Sequence, residues 1–314
     1  MRYFPGIPPA RRTGGSGCSQ TMFATYLKLL LMAFFWGGTF IAGRVLAQSV
    51  GPFGGAFMRF AVASVCLAAV MLKMERSVVR PSGRDVAVLF VMGMTGVFAY
   101  NVLFLKGLKL IEAGRASVII ANNPVFIALM AAVFFGERLN ALKVTGILLS
   151  VAGALVVITR GVLSSLLSGG FGWGELFIFG CVASWVAYSL LGKTVMARLS
   201  PLAAVTFSSV AGTACLFPPA VLEGMLTVDP YPLAAWASIF YLGFFGTVLG
   251  FVWYYQGIQR IGPVRAGLFI NFVPVFAVLL SALLLGEPLT PSLLVGAVLV
   301  SSGVCLTTLG AHRV

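Results

Sequence analysis

The sequence repeats one stretch of itself 150 positions later, without a gap. Gly107 to Gly153 aligns with Gly257 to Gly303, and 16 of the 47 aligned positions are identical. The identical positions of the first copy are Gly107, Ile111, Arg115, Ala116, Ile120, Pro124, Val125, Phe126, Leu129, Ala132, Gly136, Glu137, Leu139, Gly146, Leu149 and Gly153. Apolar residues often match by chance, but paired arginines, prolines and glycines do not. Self-similarity at a fixed spacing indicates duplicated structure, so the chain should fold as two copies of one unit.

Apolar runs alternate with short polar breaks along the whole chain. The 314 residues are 60% hydrophobic and only 9% charged, whereas about a quarter of the residues in soluble domains are charged. Runs of about 20 apolar residues have the length that an α-helix needs to cross a bilayer. The sequence therefore predicts an all-α integral membrane protein with ten transmembrane helices. Their expected ranges are 26–47, 52–72, 86–105, 113–134, 142–160, 174–196, 202–222, 232–256, 264–285 and 291–309.

Lysine and arginine residues in the connections predict the orientation. With the N-terminus in the cytoplasm, fifteen of the 21 basic residues fall on the cytoplasmic side and four outside, while Arg44 and Arg59 lie within helices. This bias satisfies the positive-inside rule. We therefore expect a bacterial inner (plasma) membrane protein with both termini in the cytoplasm and residues 1–25 as a cytoplasmic tail. The net charge of +13 is assigned to these connections, so no nucleic-acid partner is expected.

Each half of the chain holds five predicted helices, and the first helices of the halves are also related. Trp36 and Arg44 match Trp185 and Lys193 in order and spacing. Because five is an odd number, the two copies enter the membrane from opposite sides, and the second is inverted. Inverted repeats are typical of secondary transporters, with a substrate site near the membrane midplane between the halves. The sequence thus predicts a monomeric alternating-access transporter in the lipid bilayer. The expected repeats are residues 26–161 and 172–310.

Short motifs recur in the same order in both halves. The first half contains Trp36-Gly-Gly-Thr-Phe, Asn123-Pro-Val-Phe and Gly136-Glu-Arg-Leu, and the second contains Val273-Pro-Val-Phe and Gly286-Glu-Pro-Leu. With ten helices in two halves of five, this pattern resembles the EamA-type family of the drug/metabolite transporter superfamily. The resemblance implies export of small metabolites from the cytoplasm. Within the superfamily the chain resembles the YddG-type exporters, which implies neutral or aromatic amino acids as the small-molecule substrates.

The acidic residues favour one mode of energy coupling. None of the eight falls in the middle of a predicted helix, and the single histidine, His312, lies in the C-terminal tail. A proton-coupled antiporter usually has a carboxylate or a histidine at membrane depth. The sequence therefore favours facilitated movement down the substrate gradient. A proton-coupled drug/metabolite antiporter and a lipid-handling membrane protein stay open as alternatives.

Two prolines, Pro124 and Pro274, fall in the middle of the fourth and ninth predicted helices. A proline removes one backbone hydrogen bond and bends a helix. We interpret both as hinges, with simple packing kinks as the alternative. Asn122, Asn123 and Asn271 lie within a turn of these prolines. Their amides and the freed carbonyls could bind a zwitterion, although each asparagine could equally bind a neighbouring helix.

Tryptophan and tyrosine residues cluster in the middle stretches of several predicted helices. Trp185 and Tyr188 lie about one turn apart on one face, whereas Trp253 and Tyr254 lie nearer the cytoplasmic end, where a role in the interfacial belt stays open. An aromatic wall with a few amides suits a large neutral or aromatic side chain. The predicted substrate-binding residues are Trp36, Tyr100, Asn101, Asn122, Asn123, Trp185, Tyr188, Trp253, Tyr254 and Asn271.

Charged residues near helix ends are expected to have structural roles. Arg44, Arg59 and Lys193 should extend their charges to the membrane interface, the alternative being attraction of a substrate carboxylate at a cavity mouth. In Gly136-Glu137 and Gly286-Glu287, we expect glycine to end one helix. The glutamate should then lie near the positive N-terminus of the next helix.

Other protein classes fit the sequence less well. An intramembrane enzyme would need a Ser/His site, an HExxH motif or paired intramembrane aspartates, and the sequence has none of these. We therefore expect no catalytic residue. The five cysteines have no metal-ligand or CxxC spacing, so neither a metal nor a cofactor nor a disulfide is expected. A channel would favour a symmetric oligomer with a filter loop rather than an inverted repeat within one chain.

Overall fold

The computed structural model describes residues 15–75, 80–136, 139–162, 172–226 and 231–310, which are predominantly helical, with no strand among them. Ten of the described helices are long and apolar enough to cross a membrane. This result confirms the predicted fold class. The ten spans are α1 (Met22–Ser49), α2 (Pro52–Met74), α3 (Gly83–Leu110), α4 (Ala113–Phe134), α5 (Ala141–Ile158), α6 (Trp173–Val195), α7 (Pro201–Leu222), α8 (Leu233–Gly262), α9 (Arg265–Leu285) and α10 (Pro291–Gly310).

The ends of several helices follow from local sequence chemistry. The helix containing α1 begins at Gly15, so the last part of the predicted tail is helical. The fourth and ninth helices end at Gly136 and Gly286, whose φ angles of 65° and 66° lie in the left-handed region. Glycine adopts this conformation without the steric cost of a Cβ atom. The expected helix ends at these two glycines are therefore confirmed.

The last helices of the two halves, α5 and α10, pack antiparallel through facing glycines. Gly146 and Gly153 of α5 lie against Gly303 and Gly296 of α10, and a Cβ atom on any of the four would come within 2.8 Å of the opposing carbonyl oxygen. At the offset of 150, Gly146 corresponds to Gly296 and Gly153 to Gly303. The Gly146–Gly303 and Gly153–Gly296 contacts are therefore equivalent, related by a two-fold axis. Because equivalent helices run antiparallel, the second half is inverted relative to the first.

Packing between the halves repeats this two-fold pattern in other helices. α1 packs on α8 and α9 of the other half, and its equivalent α6 packs on α3 and α4. α2 packs on its own equivalent, α7. Fully buried side chains such as Phe104 of α3 and Ile178 of α6 lie in the shared core. The region between the halves is therefore lined by α1, α2, α3 and their equivalents α6, α7 and α8.

Candidate functional site

Two π-helical segments lie at equivalent positions in α3 and α8. They span Gly93–Ala99 and Tyr241–Leu249, which overlap when the first is shifted by 150 positions. A π turn departs from the regular helical bonding pattern and is frequent at functional sites. Here Asn101 Nδ2 donates to the carbonyl of the fourth preceding residue (2.7 Å), and Thr247 Oγ1 donates to that of the fifth (2.9 Å). Sequence analysis did not predict these segments.

Both α4 and α9 are interrupted beside the predicted prolines. α4 stops at Ile120 and restarts at Asn123, and α9 passes through a 3₁₀ turn at Phe269–Asn271. Because Pro124 and Pro274 lack an N–H, the carbonyls four residues earlier lose their usual helical donor. The first part of α4 packs against the second part of α9. Two broken helices therefore meet between the halves, while their role as hinges stays a prediction.

The three asparagines near these breaks have different surroundings. Asn122 is buried and fully engaged, since its Nδ2 donates to Val118 and Ile119 carbonyls and its Oδ1 accepts from Ser150 Oγ at 2.7 Å. The neighbouring Asn123 is also buried, but its Oδ1 has no hydrogen-bond partner.

Asn271 is half-buried at the end of the 3₁₀ turn. Of the three asparagines, Asn122 joins α4 to α5 through its bond from Ser150. Asn123 is the one whose buried side-chain oxygen has no partner. Asn101 resembles Asn123 in one respect, because its buried Oδ1 also lacks a partner.

An aromatic cluster crosses the boundary between the halves. Its members lie on α1, α3, α6 and α8. They are the predicted site residues Trp36, Tyr100, Trp185, Tyr188 and Tyr254, together with Phe251. The ring-centroid distances are Trp36–Tyr254 5.6 Å, Trp36–Phe251 5.6 Å, Phe251–Trp185 6.4 Å, Trp185–Tyr100 5.5 Å and Trp185–Tyr188 5.2 Å. These spacings are within the range of favourable aromatic pairs. The rings therefore form one continuous aromatic cluster built from both halves.

Phe251 links the two parts of this aromatic cluster, although sequence analysis passed over it. It corresponds to Asn101 at the offset of 150, and nothing in the sequence separates it from 25 other phenylalanines. Trp36 is held against it by an indole N–H bond to the Gly246 carbonyl in the π segment (2.9 Å). A Cβ atom at Gly250 would lie 2.3 Å from the indole nitrogen, so glycine is needed there for this approach.

Trp253 does not join the aromatic cluster. Its ring lies 5.6 Å from that of Phe35, and it lines a separate recess with Thr25, Lys28 and Gln256 near the start of α1. Among the described residues no ring pair joins Trp253 to the cluster, although Trp253, Trp36 and Tyr254 pack against the same buried Leu29 and Met32. Its neighbour Tyr254 points to Trp36 instead.

The expectation that Arg59 extends its charge to the membrane interface is wrong. Arg59 of α2 is only 7% exposed, with its guanidinium carbon 5.0 Å from the Phe60 ring centroid. Nη2 donates to Thr247 Oγ1 in the π segment of α8 at 3.3 Å, whereas Nε is buried without a partner. Thr247 directly follows Gly246, whose carbonyl binds the indole N–H of Trp36. A buried cation thus contacts the segment that holds Trp36 of the aromatic cluster.

Arg44 and Lys193, equivalent in the two halves, behave differently. The Arg44 guanidinium donates to the Leu108 carbonyl and, at 2.8 Å, to the Ile111 carbonyl, so it holds the end of α3 to α1. Because these carbonyls lie at the end of a membrane span, the interfacial position expected for Arg44 stays a prediction. Lys193 is exposed, as expected.

Glu287 occupies a different position from the expected one. Its Oε1 and Oε2 accept hydrogen bonds from the amides of Ala113 (2.8 Å) and Gly114 (3.0 Å) at the start of α4. The carboxylate therefore lies at a helix N-terminus, but at one in the other half rather than at the next helix, α10. The reason is that the inverted packing brings the end of α9 beside the start of α4. Glu137 lies outside the described residues.

Acidic residues in the described part of the chain do not form a metal site. No group of three or more His, Cys, Asp or Glu residues there is arranged to hold an ion. The ionic contact that joins the halves near the start of α4 is instead between Arg115 Nη2 and Glu175 Oε1, 2.9 Å apart and both buried.

Two copies of one family domain cover the chain. The EamA-like transporter family matches residues 23–159 and 172–309. The chain belongs to this family. It is therefore a multi-pass membrane transporter of the EamA type, in agreement with the resemblance that its motifs carry and with the drug/metabolite transporter superfamily.

Curated relatives of this EamA transporter align over almost their whole length. "Uncharacterized transporter YyaM" of Bacillus subtilis is 30% identical over 92% of this chain and 94% of its own. "Probable terminal-alkyne amino-acid exporter" of Streptantibioticus cattleyicolor is 33% identical over 91% and 94%. A crystal structure at 24% identity superposes with a TM-score of 0.63 over 92% of this chain and 98% of the other, which supports the fold.

Proposed function

We propose that this EamA transporter exports neutral amino acids, aromatic ones among them, by alternating access. The observation that carries the proposal is the aromatic cluster formed jointly by the two halves. Stacking on its rings would contribute about 0.5–1.5 kcal/mol per aromatic pair to binding of an aromatic side chain. The buried side-chain oxygens of Asn101 and Asn123, which lack a partner among the described residues, are available to polar groups of the substrate. The printed name of one relative, a probable amino-acid exporter at 33% identity, supports the same substrate class.

The direction and driving force belong to the same proposal. The positive-inside bias favours both termini in the cytoplasm of a bacterial cell, so that export runs from the cytoplasm outward. Every acidic residue in the described part of the chain lies at or near a helix end, among them Glu75, Asp85, Glu175, Glu223 and Glu287. Without a mid-membrane carboxylate to carry a proton, transport follows the gradient of the amino acid itself. One chain contains both halves of the site, so a monomer is sufficient.

Counterflow in liposomes tests the proposal. Purified protein is reconstituted, the vesicles are loaded with unlabelled phenylalanine, and uptake of external labelled phenylalanine is followed, with protein-free vesicles as the control. Saturable uptake that other neutral amino acids inhibit, without an imposed pH gradient, is the expected result. Strict dependence on a pH gradient would favour the proton-coupled alternative, and a non-saturating conductance would favour a channel. Absence of counterflow with every amino acid tested would favour the lipid-handling alternative.

A further inference from the structure

Arg59 lacks an acidic partner in the described part of the chain. Its one side-chain hydrogen bond to a described residue goes to the neutral Thr247 hydroxyl and is long, at 3.3 Å. No salt bridge to an acidic side chain of the described residues accompanies it, and its buried Nε has no acceptor. A charge held in a membrane protein normally pairs with another group or marks a substrate path. Among the described residues, Arg59 therefore has a buried charge that no anionic group balances.

Arg115 is the informative comparison within the same chain. It is as buried as Arg59, with 7% exposed in both cases, and its Nε also has no partner. Its charge is nevertheless matched, because Glu175 lies 2.9 Å from Nη2 and the Ile158 carbonyl accepts a further bond. What distinguishes Arg59 is thus the missing carboxylate rather than any single unpaired N–H. Arg115 shows the kind of partner that a buried arginine takes in this fold.

The position of Arg59 makes a substrate the natural source of that carboxylate. Arg59 belongs to the first half, and Thr247 to the π segment of the second, so the cation lies between the halves. Thr247 directly follows Gly246, whose carbonyl accepts the indole N–H of Trp36 at 2.9 Å, and Trp36 belongs to the aromatic cluster. An amino acid could therefore place its carboxylate at Arg59 and its side chain on the aromatic cluster.

We propose that Arg59 binds the substrate carboxylate and restricts transport to compounds that carry one. This inference rests on the proposed function and adds the group that decides specificity. The planar guanidinium presents paired N–H donors that match the two oxygens of a carboxylate. Thr247 positions the guanidinium through its hydroxyl, and its neighbour Gly246 binds Trp36 of the aromatic cluster. Amines and esters of the same side chain leave Arg59 unpaired and are excluded.

Competition in the counterflow assay tests this assignment without any variant. Labelled phenylalanine is the transported probe, and the competitors are 3-phenylpropionate, which lacks the amine, and phenethylamine and phenylalanine methyl ester, which lack the carboxylate. Because charge-assisted hydrogen bonds are involved, 3-phenylpropionate should compete at least about tenfold better than the last two. Equal competition by the amine or the ester would overturn the inference while leaving amino-acid transport intact.

Substitution of Arg59 gives a second, independent readout. Arg59→Met removes the charge while filling a similar volume, and buried charges can often be replaced in this way without loss of folding. We expect it to abolish the difference between the competitors, with Arg59→Lys retaining a smaller difference because it keeps the charge but not the paired donors. The matched control is Lys193→Met on the exposed surface, which should discriminate as the wild type does. Unchanged discrimination in Arg59→Met would contradict the proposal.

Thermal unfolding in detergent separates failure of this inference from failure of the proposed function. Phenylalanine and 3-phenylpropionate should raise the Tm of the wild type, and Arg59→Met should lose that shift. Stabilisation by phenyl phosphate, but by neither carboxylate, would replace the carboxylate with a phosphate group as the ligand of Arg59. If no carboxylate raised the Tm and none was exchanged, both proposals would be overturned. A carboxylate-dependent shift without exchange would keep Arg59 as a binding residue and overturn only the transport proposal.

Discussion

The carboxylate of Glu287 accepts a hydrogen bond from the backbone amide of Ala113 at 2.8 Å, although the two residues lie in opposite halves of the chain. A related bond joins Glu223, after α7, to the amide of Gly54 near the start of α2, also at 2.8 Å. In both cases a carboxylate following a helix of one half binds the positive N-terminal end of a helix in the other. By the alternation of helix directions, both bonds lie on the same side of the membrane. They fasten the halves together there.

We expect Glu287→Gln to lower the free energy of unfolding by about 1–2 kcal/mol, because a carboxamide accepts with one oxygen only and lacks the charge that favours a helix N-terminus. Thermal unfolding in detergent measures this loss. The matched control is Glu112→Gln, since Glu112 precedes the same helix but makes no side-chain capping bond. Equal losses in the two variants would assign the effect to charge alone and contradict a role for the hydrogen bonds.

The Arg115–Glu175 pair should show strong coupling. Glu175→Gln leaves the buried Arg115 charge without an opposite charge, and Arg115→Met does the same to Glu175, so each should cost about 3–5 kcal/mol. The double variant should be more stable than the sum of the single effects implies. A double-mutant cycle, with the free energy of each variant taken from thermal unfolding, measures this coupling energy. Arg265→Met is the control, because Arg265 is the repeat equivalent of Arg115 but is exposed; additive losses in the cycle would refute the coupling.

Much of this architecture could be predicted from composition and repetition. Ten apolar runs define ten spans because a bilayer demands a fixed helix length, and an odd number per half requires inversion. The breaks at Pro124 and Pro274 were also predictable, since proline lacks an N–H. These features depend on the local sequence or on the number of apolar runs in each half. They do not depend on which side chains meet.

The features that sequence analysis missed all depend on contacts between distant helices. Phe251 is one of 26 phenylalanines, and only its place between Trp36 and Trp185 distinguishes it. Arg59 lies two turns inside α2, where an arginine can reach the membrane interface; packing of the Thr247 segment across it keeps it buried instead. The π segments likewise have no sequence signature here. They are observed only in the folded chain, at equivalent positions of the two halves.

Asn122 and Asn123 are adjacent but should respond differently to substitution. Asn122→Ala removes the bond from Ser150 and should cost about 0.5–2 kcal/mol of stability. Asn123→Ala removes a buried acceptor that has no partner, so stability should be unchanged or higher, whereas substrate exchange should fall by about tenfold if its amide binds the ligand. Unfolding and counterflow on the same preparations measure both quantities. Wild-type exchange by Asn123→Ala would remove Asn123 from the site.

Substitution of Phe251 should alter preference among substrates. Phe251→Leu keeps apolar volume but removes the ring contacts to Trp36 and Trp185, which contribute about 0.5–1.5 kcal/mol per pair. Competition by phenylalanine should therefore weaken more than competition by leucine, by about two- to tenfold. Trp173→Ala is the control, since Trp173 is exposed at the start of α6. Equal weakening of both competitors would mean that Phe251 only supports packing.

The prolines at the two helix breaks connect the fold to its proposed movement. Pro124→Ala and Pro274→Ala supply the missing N–H and allow α4 and α9 to continue without interruption, so stability should be unchanged or increase. If the breaks act as hinges, exchange should slow by about tenfold or more, because straight helices resist the change between access states. Initial counterflow rates at saturating phenylalanine measure this effect separately from binding.

Pro291→Ala is the matched control for both variants, because Pro291 occupies the first turn of α10, where no helical bond depends on it. It should exchange at the wild-type rate. Slow exchange by Pro124→Ala and Pro274→Ala with unchanged competition constants would assign the breaks to movement rather than to binding. Wild-type rates in both would leave them as packing kinks. Unequal effects would mean that the two halves, although related by sequence, do not bend equally during transport.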